Sequence, residues 1–113
     1  MDQSTVLLLT RNGLGDAPNG LQLALVAKYF SLLRQSGQYP GSILFYTEGV
    51  KLACEGSPIL EHLRHLEISG VKLVVCSTCL EFFGLKDSVK VGTELGMPDI
   101  LAAMQAAANV ISL

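Results

Sequence analysis

The chain is poor in charge and contains no tryptophan. Only 16% of its 113 residues are charged, against about 25% in an average soluble domain. Its eight lysines and arginines are scattered and the formal net charge is −2, so no basic stripe is available to meet the phosphates of a nucleic acid. Half of the residues are hydrophobic. We expect such an apolar domain to cover part of its surface as a homo-oligomer, with dimer, trimer and larger rings all open.

The sequence also lacks a long apolar run. The longest one, Leu21 to Leu33, is interrupted by polar residues and is shorter than the ~20 residues that a membrane-spanning helix needs. Met1 to Gln3 has no basic region of a secretory signal, and Val6 to Leu9 is too short for the apolar part of one. Three cysteines, an odd number, favour reduced thiols over a disulfide framework. We therefore expect a cytoplasmic protein without a membrane partner.

Short β-branched runs alternate with helical patterns along the whole chain. Helices are predicted at about Leu21–Ser36, with Asn19 as a cap and Gly37 as the stop, from Ser57-Pro58 to Gly70, and from Pro98 to about Ala108. Strands separated by helices imply right-handed crossovers. The sequence thus predicts a single α/β domain, residues 1–113, built as a three-layer sandwich around a mostly parallel five-stranded sheet. The predicted strands are Thr5–Leu9, Ser42–Tyr46, Val71–Cys76, Ser88–Val91 and Val110–Leu113.

Three loops follow the first three predicted strands. In open α/β sheets, ligands bind where the strands end in the carboxyl direction. The loops Asn12–Asp16, Thr47–Lys51 and Cys76–Cys79 should therefore meet at one edge of the sheet.

The third of these loops contains the two candidate catalytic residues, Cys76 and Cys79. Thr78 and Glu81 have the spacing of a capping box, which predicts Thr78 as the N-cap and Cys79 as the first helical residue. Unpaired N–H groups and the positive end of a helix dipole lower the pKa of a thiol and favour the nucleophilic thiolate. The sequence therefore predicts a reactive-sulfur site.

Residues in all three loops are candidates to support these thiols. Backbone N–H groups of the thiol loop would stabilise a negatively charged sulfur, the glycine-rich loop would cradle an anion, and a lysine would supply positive charge. More often such glycines only make a turn and such a lysine is solvated. The candidate supporting residues are Ser77, Thr78, Asn12, Gly13, Gly15 and Lys51.

Other interpretations of the cysteines remain open at this stage. Free cysteines are among the most buried residue types, so Cys76 and Cys79 could be inert, and Cys54 has no motif around it. A zinc site needs two more ligands, and the sequence has neither a second C-x-x-C pair nor a cysteine–histidine pair to supply them. We therefore predict no metal and no cofactor. Thioredoxin-type exchange also uses C-x-x-C, but here the motif lies late in the chain and no tryptophan accompanies it.

At these residues the chain resembles the DsrE/DsrF-like sulfur-relay family, and within it the C-terminal domain of YedF-type selenium-metabolism proteins. The matching segments are Gly49–Ser57, Gly70–Asp87 and Val89–Gly92. The resemblance implies a flavodoxin-like sandwich that assembles into oligomers. It also implies a sulfur carried as a persulfide at the position of Cys76, with Cys79 as the second cysteine of the YedF-type motif. Ser77 departs from the glycine that is common there.

The leading hypothesis is a cytoplasmic sulfur or selenium relay, a sulfurtransferase-like carrier for which turnover stays an open question. Cys76 would attack a donor persulfide and Cys79 would stabilise or resolve the carried sulfur. The implied partners are sulfur-donor and sulfur-acceptor proteins. The alternative is a non-catalytic oligomeric interaction module, or one that senses redox state through its thiols.

Overall fold

The computed structural model describes residues 1–113 and contains five strands and four α-helices. A seven-residue 3-10 helix, Thr47–Ala53, follows the second strand, and a shorter one, Lys86–Ser88, precedes the fourth. The strands are β1 (Thr5–Leu9), β2 (Ser42–Phe45), β3 (Lys72–Cys76), β4 (Thr93–Leu95) and β5 (Asn109–Ser112). The helices are α1 (Asn19–Ser36), α2 (Leu60–Ile68), α3 (Ser77–Phe82) and α4 (Met97–Ala106).

All strand pairs in the sheet are parallel, and the strand order is β4-β3-β2-β1-β5. The chain steps from β1 to β2, β3 and β4 in one direction and then crosses back to the far side of β1. With right-handed crossovers, this reversal places α4 on the face opposite α1 and α2. The α/β sandwich with a parallel five-stranded sheet is therefore confirmed.

The central strands are apolar on both faces because helices cover both. Register pairs Leu7 with Ile43 and Ile43 with Leu73, so these three side chains share the face covered by α1 and α2. The next residues along each strand point to α4, and Val74 lines a cleft with α4 residues. Continuous apolar runs of this kind are typical of parallel strands buried on both sides.

The fourth strand, β4, begins at Thr93, five residues after the predicted start at Ser88. Ser88–Val91 forms no strand of the sheet, because its backbone pairs instead with the segment after the 3-10 helix. Lys90 N–H donates to the Ala53 carbonyl at 2.9 Å, and Val89 forms an isolated antiparallel bridge with Cys54. The chain then turns at Gly92 and enters the sheet at Thr93.

Helix ends agree with the prediction at α1 and differ elsewhere. Gly37 ends α1 in the left-handed conformation, as predicted, but Asn19 is the first helical residue and makes no capping hydrogen bond. The helix predicted from Ser57-Pro58 begins only at Leu60. On α4, Ile100 is fully buried, whereas Leu101 is 52% exposed because the next helical residue is turned by about 100°.

No helix in the structure combines the length and the apolar character needed to cross a membrane.

Candidate functional site

The first candidate thiol, Cys76, is the last residue of β3 and has no exposed surface. It pairs in register with Leu95 of the edge strand β4. Because it lies two residues beyond Val74, its side chain points to the α4 face of the sheet. A sulfur donor therefore cannot reach Cys76 without local opening of the fold.

The second candidate thiol, Cys79, lies in the first turn of α3 and is half-buried. Its Sγ accepts a hydrogen bond from the backbone N–H of Thr47, with an N–S distance of 3.1 Å. Cys54 and Cys76 are both buried and all three cysteines are free. Cys79 is thus the thiol with access to the surface.

The pKa of the Cys79 thiol is raised, contrary to the sequence-based expectation of a lowered value. Burial is the main cause, because it disfavours the charged thiolate. The N–H of Thr47 acts in the opposite direction, while the neighbouring Cys76 thiol raises the pKa further. In the reduced chain, Cys79 is therefore held mainly as the neutral thiol at neutral pH.

The predicted capping box does not form. Cys76 occupies the N-cap position in an extended conformation, and α3 begins at Ser77, so Thr78 is the exposed second residue of the helix. The chain passes directly from strand to helix, which leaves no extended residue at position 78 for a cap. With six residues, α3 also supplies only a short dipole to the thiols.

Thr47 connects the loops that follow the first three strands. Its φ of 49° makes it the one non-glycine residue with positive φ. Its hydroxyl lies 2.5 Å from the Thr10 carbonyl oxygen and 2.7 Å from that of Tyr46, while its N–H contacts Cys79. The loop after β2 therefore contacts both the residue that follows β1 and the thiol loop, but Thr10 lies outside the predicted Asn12–Asp16 loop, and nothing in the sequence pattern signals the role of Thr47 or Thr10.

Gly49 brings the 3-10 helix against the end of β1. A Cβ on Gly49 would lie 1.8 Å from the carbonyl oxygen of Leu9, far inside van der Waals contact, so only glycine fits there. Tyr46 N–H also donates to that oxygen, at 3.1 Å. The backbone around Thr47 is therefore fixed against a core strand rather than free in solvent.

The glycine-rich loop that follows β1, Asn12–Asp16, packs on α1 instead of opening toward the thiols. A Cβ on Gly13 would lie 2.4 Å from the Cβ of Gln22, and the Gln22 side chain donates to the Gly15 carbonyl at 2.7 Å. Asn12 accepts a hydrogen bond from the Asn19 side chain through its carbonyl, at 3.0 Å. The polar groups of this loop thus stabilise the loop itself.

Lys51 is a neighbour of Asn12 but its charge is already paired. Its Nζ lies 2.6 Å from a carboxylate oxygen of Glu48 and 4.8 Å from the centroid of the Phe83 ring. Lys51 and Asn12 together line two clefts of about 400 and 280 Å³. Neither Cys76 nor Cys79 lines these clefts, whereas Cys54 lines the smaller one.

No group of three or more histidine, cysteine, aspartate or glutamate side chains is placed to hold a metal ion.

The remaining histidine and cysteine contacts lie outside the C-x-x-C loop. His65 of α2 shares a hydrogen bond with the Tyr39 hydroxyl at 3.2 Å. The Cys54 thiol donates to the Val50 carbonyl at 3.2 Å, and burial raises its pKa.

Several solved structures share this fold over nearly the full chain. The ychN protein from E. coli is 17% identical with a TM-score of 0.70, and 100% of each chain is covered. MTH1491 from Methanobacterium thermoautotrophicum, a protein of unknown function, is 18% identical with a TM-score of 0.66, covering 96% of this chain and 97% of the other. BT1422 from Bacteroides thetaiotaomicron, also of unknown function, is 16% identical with a TM-score of 0.60, covering 97% and 95%. At these identities the likeness shows the fold alone.

The sequence itself carries the family assignment. No curated protein matches this chain. The model of the DsrE/DsrF-like family, however, matches residues 5–113, which include every strand, every helix and both thiols of the C-x-x-C loop. The chain therefore belongs to the DsrE/DsrF-like family.

Proposed function

We propose that this protein is a cytoplasmic sulfur or selenium relay that carries the transferred atom on Cys79, as a persulfide or as its selenium analogue. One observation carries the proposal: the half-buried Cys79 sulfur accepts a backbone N–H at the carboxyl edge of the sheet, while the other two thiols are buried. Family membership supports the relay chemistry. The carrier role that the sequence suggests for Cys76 moves to Cys79, because Cys76 has no exposed surface.

The relay consists of two thiol exchanges without net oxidation. In loading, the Cys79 thiolate attacks the outer sulfur of a donor persulfide; a new S–S bond forms, the donor S–S bond breaks, and the electron pair leaves with the donor thiolate. That thiolate takes up the proton that Cys79 lost. In unloading, an acceptor thiolate attacks the outer sulfur on Cys79, and Cys79 leaves as the thiolate.

Cys76 is placed to resolve the carried sulfur by a second route. Its thiolate would attack the inner sulfur of the Cys79 persulfide, forming a Cys76–Cys79 disulfide and expelling hydrosulfide. In this step the carried sulfur is reduced to sulfide, and the two cysteines supply the electrons. Cys76 has no exposed surface, so an acceptor protein reaches only Cys79, and transfer to a partner proceeds from Cys79.

Mass spectrometry after incubation with a persulfide donor tests the relay. We expect the reduced protein to gain the mass of one sulfur atom on the peptide that contains Cys79. The Cys79→Ser variant should lose this adduct and the Cys76→Ala variant should keep it. An adduct that survives in Cys79→Ser but not in Cys76→Ala would return the carrier role to Cys76. Absence of any adduct, with Cys79 accessible to alkylation, would reject the relay.

The second candidate function is a redox-sensing module. It is favoured by the position of the two free thiols three residues apart at the end of β3, where Cys76 acts to raise the pKa of Cys79. This function predicts a reversible Cys76–Cys79 disulfide under mild oxidation and no sulfur adduct. The mass experiment, repeated with a mild oxidant in place of the donor, distinguishes the two functions.

Homo-oligomerisation is part of the proposal. Large apolar side chains are exposed on all four helices and on β5, and such surfaces in a small chain favour association. Light scattering at micromolar concentration tests this, and a monomeric mass would contradict it. The exposed side chains are Met1, Leu21, Leu25, Leu32, Ile68, Phe82, Met97, Leu101, Val110 and Ile111.

A further inference from the structure

We propose that Thr47 is a positioning residue for Cys79: its hydroxyl holds the loop in the conformation that keeps its own N–H on the Cys79 sulfur. The inference rests on the proposed function, because it gives the contact a role in loading and unloading Cys79. It concerns a residue outside the C-x-x-C motif, on the loop that follows β2.

The conformation of Thr47 needs an external restraint. A β-branched residue at a φ of 49° is strained and persists only where its surroundings enforce it. Here the hydroxyl donates toward the Thr10 carbonyl at 2.5 Å, which ties the loop to the end of β1. The Tyr46 carbonyl accepts from the N–H of Gly49 at 3.0 Å, which fixes the peptide plane between Tyr46 and Thr47 from its other side.

This peptide plane determines where the Thr47 N–H points. A flip of the Tyr46–Thr47 peptide would relieve the positive φ by returning Thr47 to an ordinary conformation. The same flip would turn the N–H away from Cys79 and break the 3.1 Å contact. Strain at Thr47 and the hydrogen bond to Cys79 are therefore two consequences of one backbone geometry, and the hydroxyl contact to Thr10 maintains both.

The contact favours the chemistry of Cys79 in both exchanges. A donated N–H stabilises a thiolate more than a thiol, so it increases the fraction of nucleophile available for loading. During unloading the same N–H stabilises the thiolate that leaves when an acceptor attacks the outer sulfur. The donated N–H lowers the pKa of Cys79 and partly offsets the effect of burial.

Three substitutions in the full chain separate the hydroxyl from the backbone conformation. Thr47→Val keeps the shape but loses the hydroxyl, so the strained loop relaxes and the N–H leaves the sulfur. Thr47→Gly also loses the hydroxyl but adopts positive φ without strain, so the N–H stays in place. Thr47→Ser keeps the hydroxyl and serves as the conservative control.

The measurement is the pH profile of Cys79 alkylation by iodoacetamide, followed on its own peptide by tandem mass spectrometry. We expect Thr47→Val to raise the midpoint by about one pH unit, the order expected for losing a hydrogen bond to a charged group. Below the midpoint its alkylation is then about tenfold slower than in the unmodified chain. Thr47→Ser and Thr47→Gly should stay close to the unmodified chain.

Two results would overturn the inference. One is an unchanged midpoint in Thr47→Val, with thermal unfolding showing that the variant is folded. The other is an equal rise in Thr47→Val and Thr47→Gly, which would mean that the hydroxyl acts on Cys79 by a route other than holding the positive-φ backbone. If Thr47→Val does not fold, Thr47→Ala takes its place, with a smaller rise expected.

Persulfide loading of the unmodified chain, run in parallel, separates this inference from the proposed function. A sulfur adduct on Cys79 together with an unchanged Thr47→Val midpoint rejects the role of Thr47 and keeps the relay. A raised midpoint without any adduct keeps the hydrogen-bond geometry but rejects its role in a relay.

Discussion

The two ends of the parallel sheet differ more in chemistry than in size. The larger cleft, about 650 Å³, lies at the amino end, between the first residues of the chain and the segments that lead into β2 and β3. No cysteine lines it. The clefts at the carboxyl end measure about 400 and 280 Å³, yet this end carries the accessible thiol and the one non-glycine residue with positive φ.

The hydrogen bonds explain this difference. At the amino end, the hydrogen bonds involve no thiol; the Tyr39 hydroxyl, for example, donates to the Arg34 carbonyl near the end of α1 at 2.9 Å. At the carboxyl end, hydrogen bonds run between loops that follow different strands, as from Thr47 to Thr10 and to Cys79. In this protein the candidate site is therefore marked by hydrogen bonds that reach a thiol, and not by the largest cleft.

The largest expected effect concerns which thiols of the carboxyl end can react. In the native protein we expect iodoacetamide to alkylate Cys79 about a thousandfold faster than Cys76 or Cys54, because the buried thiols react only after opening of the fold. Peptide-resolved mass spectrometry over time gives the three rates. In denaturant the three cysteines should react at similar rates, which is the control. Equal native rates for Cys76 and Cys79 would contradict the contrast between them.

One closely packed glycine at each end of the sheet allows the two ends to be compared with matched alanine substitutions. A Cβ on Gly49 would lie 1.8 Å from the Leu9 carbonyl oxygen, and one on Gly41 would lie 2.2 Å from that of Gln3. We expect Gly49→Ala and Gly41→Ala each to lower the free energy of unfolding by about 3 kcal/mol, because the clash is with backbone. Only Gly49→Ala should also change the alkylation rate of Cys79, since only that loop contacts the thiol.

Urea unfolding and Cys79 alkylation, measured on the same samples, check this pair. Gly20→Ala is the control, because a Cβ there meets no atom within 4 Å, and we expect unchanged or slightly increased stability. If Gly41→Ala altered Cys79 as strongly as Gly49→Ala does, the two ends of the sheet would not be chemically independent.

The architecture was predictable from the sequence because its signals are local. The β-branched runs at Thr5–Leu9 and Val71–Cys76 are strands in the structure to within one residue, and Gly37 ends α1 as its backbone freedom suggests. The approach of the segments that follow β1, β2 and β3 then follows from parallel topology. The fourth strand was placed wrongly because Ser88–Val91 is equally β-prone, and its partner is the distant Ala53–Glu55 segment rather than the sheet.

The properties of the site were not predictable because they depend on side-chain direction and burial. Alternation along β3 directs Cys76 to the α4 face, so two cysteines three residues apart differ in access. The sign of the Cys79 pKa shift depends on burial outweighing a hydrogen bond from Thr47. No pattern in the sequence specifies either the depth of a sulfur or a positive φ at a threonine.

A smaller effect is expected on the free energy of unfolding at alkaline pH, through the Cys54 and Cys79 thiols at the carboxyl end of the sheet. Burial raises the pKa of both Cys54 and Cys79. The unfolded chain therefore ionises these thiols first, and the free energy of unfolding should fall as pH rises above about 8.5, the ordinary thiol pKa. Below that pH their contribution is fully present. Urea unfolding across this range should show a shallower fall in Cys54→Ala, and an equal fall would assign the effect to other groups.

The smallest effect is expected for Lys51, the charge that the sequence suggested as a support for the thiols. Its ammonium is paired with Glu48, and the two side chains are 38% and 50% exposed, so Lys51→Met should change the free energy of unfolding by less than about 0.5 kcal/mol. Methionine retains apolar contact with Phe83, and Cys79 loses no hydrogen bond. The alkylation midpoint of Cys79 should therefore move less than in Thr47→Val. A shift as large as that of Thr47→Val would mean that the ammonium, rather than the backbone N–H, controls the thiol, and the chemistry of the carboxyl end would then depend on charge more than on loop geometry.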